Sequence, residues 1–121
     1  MDLKNMSFDE KYNLTLDTNT PKDILRELAK DDDEAIRSEV VYNLNIPDDA
    51  LLQLTKDKYP FIRCRVAYNL NSSSKILVSQ FEYEKSLREP SANVIRALYQ
   101  NNKLPYVAKV IIETLFRNWL S

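Results

Sequence analysis

The 121-residue chain contains no glycine, no histidine and a single cysteine. Without histidine, Ser-His-Asp and Cys-His catalysis are excluded, as are zinc sites that need imidazole. Without glycine, phosphate-cradling loops and the dinucleotide fingerprint are excluded too. Cys64, alone, can form no internal disulfide, and the apolar stretches are broken by charge too often to span a bilayer. No signal-peptide core follows Met1, so a soluble, cytoplasmic protein is expected. The absence of glycine also bears on helix ends. Asn45, Asn71 and Asn102 are the residues best able to take the left-handed cap conformation that glycine usually supplies.

What the chain does contain is itself, twice. Thr-Pro-Lys-Asp-Ile-Leu-Arg-Glu-Leu from Thr20 is echoed by Ile-Pro-Asp-Asp-Ala-Leu-Leu-Gln-Leu from Ile46. A second block runs from Ile36 to Asn45 and returns from Ile62 to Asn71. Pro21 and Pro47, Leu28 and Leu54, Arg37 and Arg63, and Asn43 and Asn69 are all 26 positions apart. Self-similarity at a fixed period marks a stack of units that bury their apolar faces on one another. Each unit reads as two short helices. Thr20 suits the N-cap with Pro21 at the first helical position, Asp23 lies near the positive end of the dipole, and Ser72-Ser73-Ser74 opens a third copy. Leu25/Leu28 and Leu51/Leu54 give each first helix an apolar stripe.

On a wheel at about 100° per residue, Ile36, Val40, Val41 and Leu44 define the core side of the second helix. Ile62, Val66, Ala67 and Leu70 do the same one copy later. Tyr42 and Tyr68 then face outward, flanked by Ser38, Glu39, Asn45, Cys64, Arg65 and Asn71. Tyr12 and Tyr99 could continue the row. Tyrosine is a favoured interface anchor because it offers large contact area at little entropy cost, so Tyr42, Tyr68, Ser38, Glu39, Asn45, Arg65 and Asn71 are the candidate partner-binding residues. The alternative is that the rings merely stiffen the stack.

The run Leu28-Ala29-Lys30-Asp31-Asp32-Asp33-Glu34-Ala35-Ile36-Arg37-Ser38-Glu39-Val40-Val41-Tyr42-Asn43-Leu44-Asn45-Ile46-Pro47 resembles the repeat of the leucine-rich repeat variant family, with Asp32 and Leu44 where that repeat has proline. The second copy, Leu54 to Ser73, keeps Asp57, Ile62-Arg63, Val66-Ala67 and Asn69. The resemblance implies a relative of HEAT and armadillo folds: an all-α, short right-handed solenoid of three to four two-helix repeats, used as a binding scaffold. It also implies an Asp-Arg ladder through Asp31, Arg37, Asp57 and Arg63. Some members carry an iron-sulfur cluster on extra cysteines that this chain lacks, so no cofactor is expected.

The expected organisation is one domain over 1–121, with repeats at 20–45 and 46–71, a degenerate third at 72–104 and a capping helix at 105–120. Ser7-Phe8-Asp9-Glu10 forms a capping box ahead of a worn first copy. Glu82 to Pro90 reads as an insertion, after which either Ile95-Arg96 or Tyr99 sets the register. The last helix presents Val107, Ala108, Ile111, Ile112, Leu115, Phe116, Trp119 and Leu120 as a cap or a homodimer contact. Asn13, Asn43 and Asn69 should bond backbone between units. The acids Asp31 to Glu34 suit a helix start better than a cation site, and Asp48-Asp49 and Glu82/Glu84 read as solvated helix starts or insertions rather than paired carboxylates for acid-base work. Cys64 has no basic partner in its own segment.

Charge is polarised: residues 1–35 hold five basic and ten acidic side chains, 36–70 five and four, and 71–121 seven and four, for 17 − 18 = −1. That is no dense basic face. The expected function is protein-protein interaction by an adaptor, inhibitor or immunity-type protein that is not an enzyme. A nucleic-acid module using Arg65, Arg96 and the basic rear half is second, and an acid-only enzyme third.

Overall fold

The computed structural model describes residues 2–120; among them are eight α-helices, two 3-10 turns and no strand. The chain is all-helical. The helices are α1 (Phe8–Leu16), α2 (Lys22–Leu28), α3 (Glu34–Val40), α4 (Asp48–Leu54), α5 (Pro60–Tyr68), α6 (Ser74–Ser86), α7 (Ala92–Gln100) and α8 (Tyr106–Leu115), with 3-10 turns at Leu3–Asn5 and Arg117–Trp119.

Local chemistry sets the helix starts. Ser7 Oγ accepts from the Glu10 N–H at 3.2 Å and the Glu10 carboxylate accepts from the Ser7 N–H at 3.1 Å, completing the capping box of α1. Asp33, Ser73 and Ser91 cap α3, α6 and α7, and Pro60 opens α5. Pro21 departs from expectation: it is itself the N-cap of α2, with φ −61°, as Pro47 and Pro105 are for α4 and α8. A ring that fixes φ and lacks an N–H suits this half-in position. Thr20 is buried, and its hydroxyl donates to the Leu14 carbonyl at 2.7 Å instead of capping.

The helix ends correct another expectation. No described residue has positive φ, so Asn45, Asn71 and Asn102 are not left-handed caps. The work is done just upstream, two residues before Asn45 and Asn71 and one before Asn102, by side-chain turns. Asp17, Asn43, Asn69 and Asn101 accept the N–H groups of Asn19, Asn45, Asn71 and Lys103 at 2.9, 2.9, 2.8 and 2.9 Å. The three asparagines also reach back to the preceding helix pair. Asn43 Nδ2 donates to the carbonyls of Thr15 and Asp17 at 2.9 and 3.0 Å, Asn69 Nδ2 to Val41 at 2.6 Å, and Asn101 Nδ2 to Ala67 at 2.8 Å. Asn13 lies exposed inside α1, and its expected place belongs to Asp17. Asp17 has no earlier helix pair to bond, so an acceptor-only side chain suffices there.

Two rows of helices result. α1 packs on α3, α3 on α5 and α5 on α7, while α2 packs on α4 and α4 on α6. Leu25, Leu28, Ile36, Val40, Leu51, Leu54, Ile62 and Val66 form a buried cluster at the front. Ala67, Leu77, Phe81, Val94, Ile95, Leu98 and Ile112 form a second at the rear, so α5 contributes to both. Leu44 and Leu70 do not belong to either: they are 73% and 85% exposed. α3 stops at Val40, and the bonds Tyr42 N–H to Glu39 O and Asn43 N–H to Val40 O tighten the chain into a 3-10-like turn. The helical wheel therefore loses its phase before Leu44.

At the rear, the stretch Glu82 to Pro90 is an insertion, as expected, and Glu82 is exposed, but Glu84 within it is buried. α6 has 13 residues where α2 and α4 have seven each; the added residues are mostly helix. Asn101 lies 101 − 69 = 32 positions after Asn69, against 69 − 43 = 26 before. Val94 and Leu98, rather than Ile95-Arg96 or Tyr99, occupy the places of Ile62 and Val66. In the last helix Ala108 and Ile112 are buried, but Val107 and Leu115 are 69% and 59% exposed.

Candidate protein-binding face

A buried ladder ties the helix pairs together beneath the surface. Arg37 Nε and Nη2 donate to the two Asp57 carboxylate oxygens at 2.7 and 3.4 Å, and Nη1 donates to the Asp31 carbonyl at 2.7 Å. Arg63 repeats the fork on Glu84 at 2.8 and 3.1 Å, and on the Asp57 carbonyl at 2.8 Å. Lys11 reaches Asp31 at 2.7 Å. Glu84 corrects the expectation of a solvated acid: it is fully buried, and it also accepts the Ser91 N–H at 2.8 Å. The charge-assisted bond to Asp57 pushes the Arg37 guanidinium pKa upward. Asp31 and Asp57 also accept the N–H groups of Asp33 and Tyr59 at 2.9 and 3.0 Å, so each acid both shapes a loop and receives a cation.

Above the ladder, the edges of α3, α5 and α7 form an open face. Tyr42 and Tyr68 are exposed at 54% and 56%, as the wheel predicts. They are not idle rings. The Arg65 guanidinium sits 4.7 Å from the Tyr42 ring centre, within the range of a cation-π contact. The Tyr68 hydroxyl lies 3.4 Å from Gln100 Oε1. The side-chain turns at Asp17, Asn43, Asn69 and Asn101 fix the equivalences, so the row runs Leu16, Tyr42, Tyr68, Gln100. Tyr12 and Tyr99 do not continue it: Tyr12 packs partly against the front core, and the Tyr99 hydroxyl bonds Glu113 at 3.0 Å.

Of the flanking candidates, Glu39 and Arg65 pair at 3.4 Å, and Arg65 Nη1 also reaches the Ser38 carbonyl at 3.2 Å. Asn45 and Asn71 are exposed, and the Asn45 amide donates to the Thr18 carbonyl. Ser38 is the exception, being buried. Both α1 and α5 pack on α3, which covers its flanks as well as its inner side.

Several residues of this face escape the periodicity. Leu16, Leu44 and Leu70 join the tyrosines as exposed apolar side chains. Between α5 and α7 a cleft of about 500 Å³ is lined by Phe61, Cys64, Arg65, Tyr68, Asn93 and Arg96. Beyond Tyr68 a smaller hollow of about 390 Å³ lies against Leu70, Gln100 and Lys103. Phe61 stands 26 positions after Ala35, and that exchange of a small side chain for an aromatic one was the available signal. Arg96 comes into the cleft because the longer α6 resets the position of α7. Cys64 Sγ lies 3.7 Å from the Asn93 carbonyl oxygen; burial pushes its thiol pKa up, with nearby Arg96 opposing. A thiol held protonated is a poor nucleophile.

A groove of about 740 Å³ on the ladder side mixes Asp31, Asp32, Asp49 and Asp57 with Lys30, Arg37, Lys56 and Lys58. Among the described residues no group of three histidine, cysteine, aspartate or glutamate side chains is placed to hold a metal ion. No described helix is long and apolar enough to cross a membrane. No family model, curated protein or solved structure matches the chain.

Proposed function

We propose that this chain is a short right-handed α-solenoid of the kind its resemblance to leucine-rich repeat variant proteins implies, and that it binds another protein through the α3-α5-α7 face. The observation that carries this is that Leu16, Tyr42 and Tyr68 are left exposed just before the turn residues Asp17, Asn43 and Asn69, and Leu44 and Leu70 just after the last two of them. Large apolar side chains left exposed together are a common mark of an interaction site. Aromatic side chains at the centre of such a site tend to dominate its energetics. An adaptor, inhibitor or immunity-type protein of the cytoplasm would use such a face without chemistry of its own.

The test pairs a thermal melt with capture of the partner on one preparation of the double variant Tyr42→Ala, Tyr68→Ala. Both rings are more than half exposed, so stability should fall by no more than about 1 kcal/mol, the scale of the exposed cation-π contact. Loss of interface anchors should weaken capture by about 2 kcal/mol or more, roughly thirtyfold. A variant that melts far lower while its folded fraction still binds would assign the rings to the scaffold.

A further inference from the structure

Neither hollow beside Tyr68 has a carboxylate in its wall. The α5-α7 cleft carries Arg65 and Arg96, and the neighbouring hollow carries Lys103, although the chain as a whole has a net charge of −1. The opposite groove, by contrast, alternates four acids with four bases. Of the three cations around Tyr68, only Arg65 has an acidic partner within ion-pair distance among the described residues, namely Glu39. Arg96 is held by neutral groups: Nη1 donates to the Trp119 carbonyl at 3.1 Å and Nη2 to Asn93 Oδ1. Lys103 Nζ donates to the Leu70 carbonyl. These bonds aim the two cations without neutralising them.

Between the cations the cleft is apolar and aromatic. Phe61 is 48% exposed and Tyr68 56%, and Leu70 lies just beyond. We infer that this cleft receives an acidic segment of the partner protein, with a carboxylate on Arg96 and an apolar side chain between Phe61 and Tyr68. The inference rests on the proposed protein-binding role of this face and specifies the chemistry of what docks there. Opposed charge at the rim fixes register and excludes wrong partners, while the buried apolar anchor holds the segment in place. Nucleic acid fits less well. Three cations around an apolar strip make no dense basic surface, and the exposed Leu44 and Leu70 offer phosphates nothing.

The single thiol, Cys64, lies in the wall of this cleft, and its reaction, followed at alkaline pH where thiolate is present, gives a readout. The experiment selects random short peptides displayed on phage against the intact protein, then measures the selected peptides against three variants and follows the reaction of Cys64 with a disulfide reagent. Expected are peptides rich in aspartate and glutamate beside a large apolar residue, which slow the Cys64 reaction and bind more weakly as salt rises. Arg96→Glu should weaken them about tenfold or more, the scale of one charge-assisted bond, and Arg96→Lys should restore much of the loss. A circular dichroism melt of each variant separates lost binding from lost folding; if Arg96→Glu fails to fold, Arg96→Gln takes its place with the same expected direction.

Selection of peptides without acidic enrichment, no selected peptide at all, or binding indifferent to Arg96 would overturn the inference. So would a mixed-sequence oligonucleotide that protects Cys64 better than the peptides do. If Tyr42→Ala, Tyr68→Ala abolishes peptide or partner binding while the Arg96 variants keep it, the proposed function stands and the acidic segment falls. If the tyrosine variant keeps binding, the apolar anchor beside Tyr68 is overturned and the inference falls together with the tyrosine row as the binding surface.

Discussion

The ladder looks different at its two ends. At the front, Lys11 and Asp31 retain side-chain exposures of 19% and 10%; in the middle, Arg37 and Asp57 retain 10% and 6%; at the rear, Arg63 and Glu84 retain 6% and 0%. The front and middle acids stand in loops, where they also accept a loop N–H. The rear acid stands on a helix. Because α6 is 13 residues long instead of seven, roughly 1.7 extra turns carry Glu84 to the place a loop aspartate holds elsewhere. The cation's requirements are the same in the middle and at the rear: a forked carboxylate and a carbonyl six residues upstream. The architecture can meet them from either kind of element, but a helix that supplies the acid also removes it from water. Isolated burial of charge is costly and partnered burial is tolerated, so dependence on the partner should grow from front to rear.

The strongest way to break that gradient is Glu84→Ala. It leaves Arg63 charged, buried and without its fork, and should cost about 3–5 kcal/mol, read by denaturant unfolding. Asp57→Ala should cost less, because water can still reach Arg37. Equal losses at the two sites would mean that burial does not set the cost. Replacing Arg63 and Glu84 together by methionine should recover most of the loss, since well-packed apolar residues can substitute for a buried pair.

An intermediate effect should distinguish the asparagines that reach back from the one acid that does not. Asn69→Asp keeps the acceptor for the Asn71 N–H but loses the donor to the Val41 carbonyl, a buried bond of 2.6 Å. It should lower stability by about 1–3 kcal/mol. Asp17→Asn, at the front end with no earlier carbonyl to meet, should change the melting temperature hardly at all. Comparable losses at both positions would show that the turn, not the bond between helix pairs, is what matters.

The smallest effect concerns the start of α1. Bonds from the Ser7 backbone and side chain lower the Glu10 pKa from its ordinary value of 4.5. A carboxylate with a depressed folded-state pKa contributes stability that is fully present above its unfolded-state value and is lost as pH falls through the folded one. Glu10→Gln should therefore change the melt slightly at neutral pH and flatten its decline on the acid side. A steeper decline than the parent would contradict the assignment.

Much of the fold was legible because it depends on residues close in sequence. The helix starts at Ser7, Asp33 and Ser73, the buried Leu25, Leu28, Leu51 and Leu54, and the outward tyrosines all follow from local capping and from periodicity over one or two turns. Errors appeared where periodicity was carried past a helix end, as at Leu44 and Leu70, or where a neighbouring helix covered a flank, as at Ser38. The candidate site was half legible. Tyr42, Tyr68 and Arg65 share one face as expected; Phe61 lies on α5 with Arg65 and Tyr68, a placement its spacing from them already allowed, whereas Arg96 joins them only through the docking of α7 against α5.

By itself, the sequence determined the all-helical class, the 26-residue offset that relates the two central copies, and the cations and asparagines that recur at that offset. Each of these reflects chain-local preferences: a side chain beside its own backbone, or an apolar stripe with a period of 3.6 residues. Only the tertiary structure decided which acid meets which cation, and hence that Glu84 is sealed while Asp31 is not. Those pairings span 20 or 21 residues. Their geometry depends on where each helix stops and how the next one packs, which no local pattern of residue types encodes.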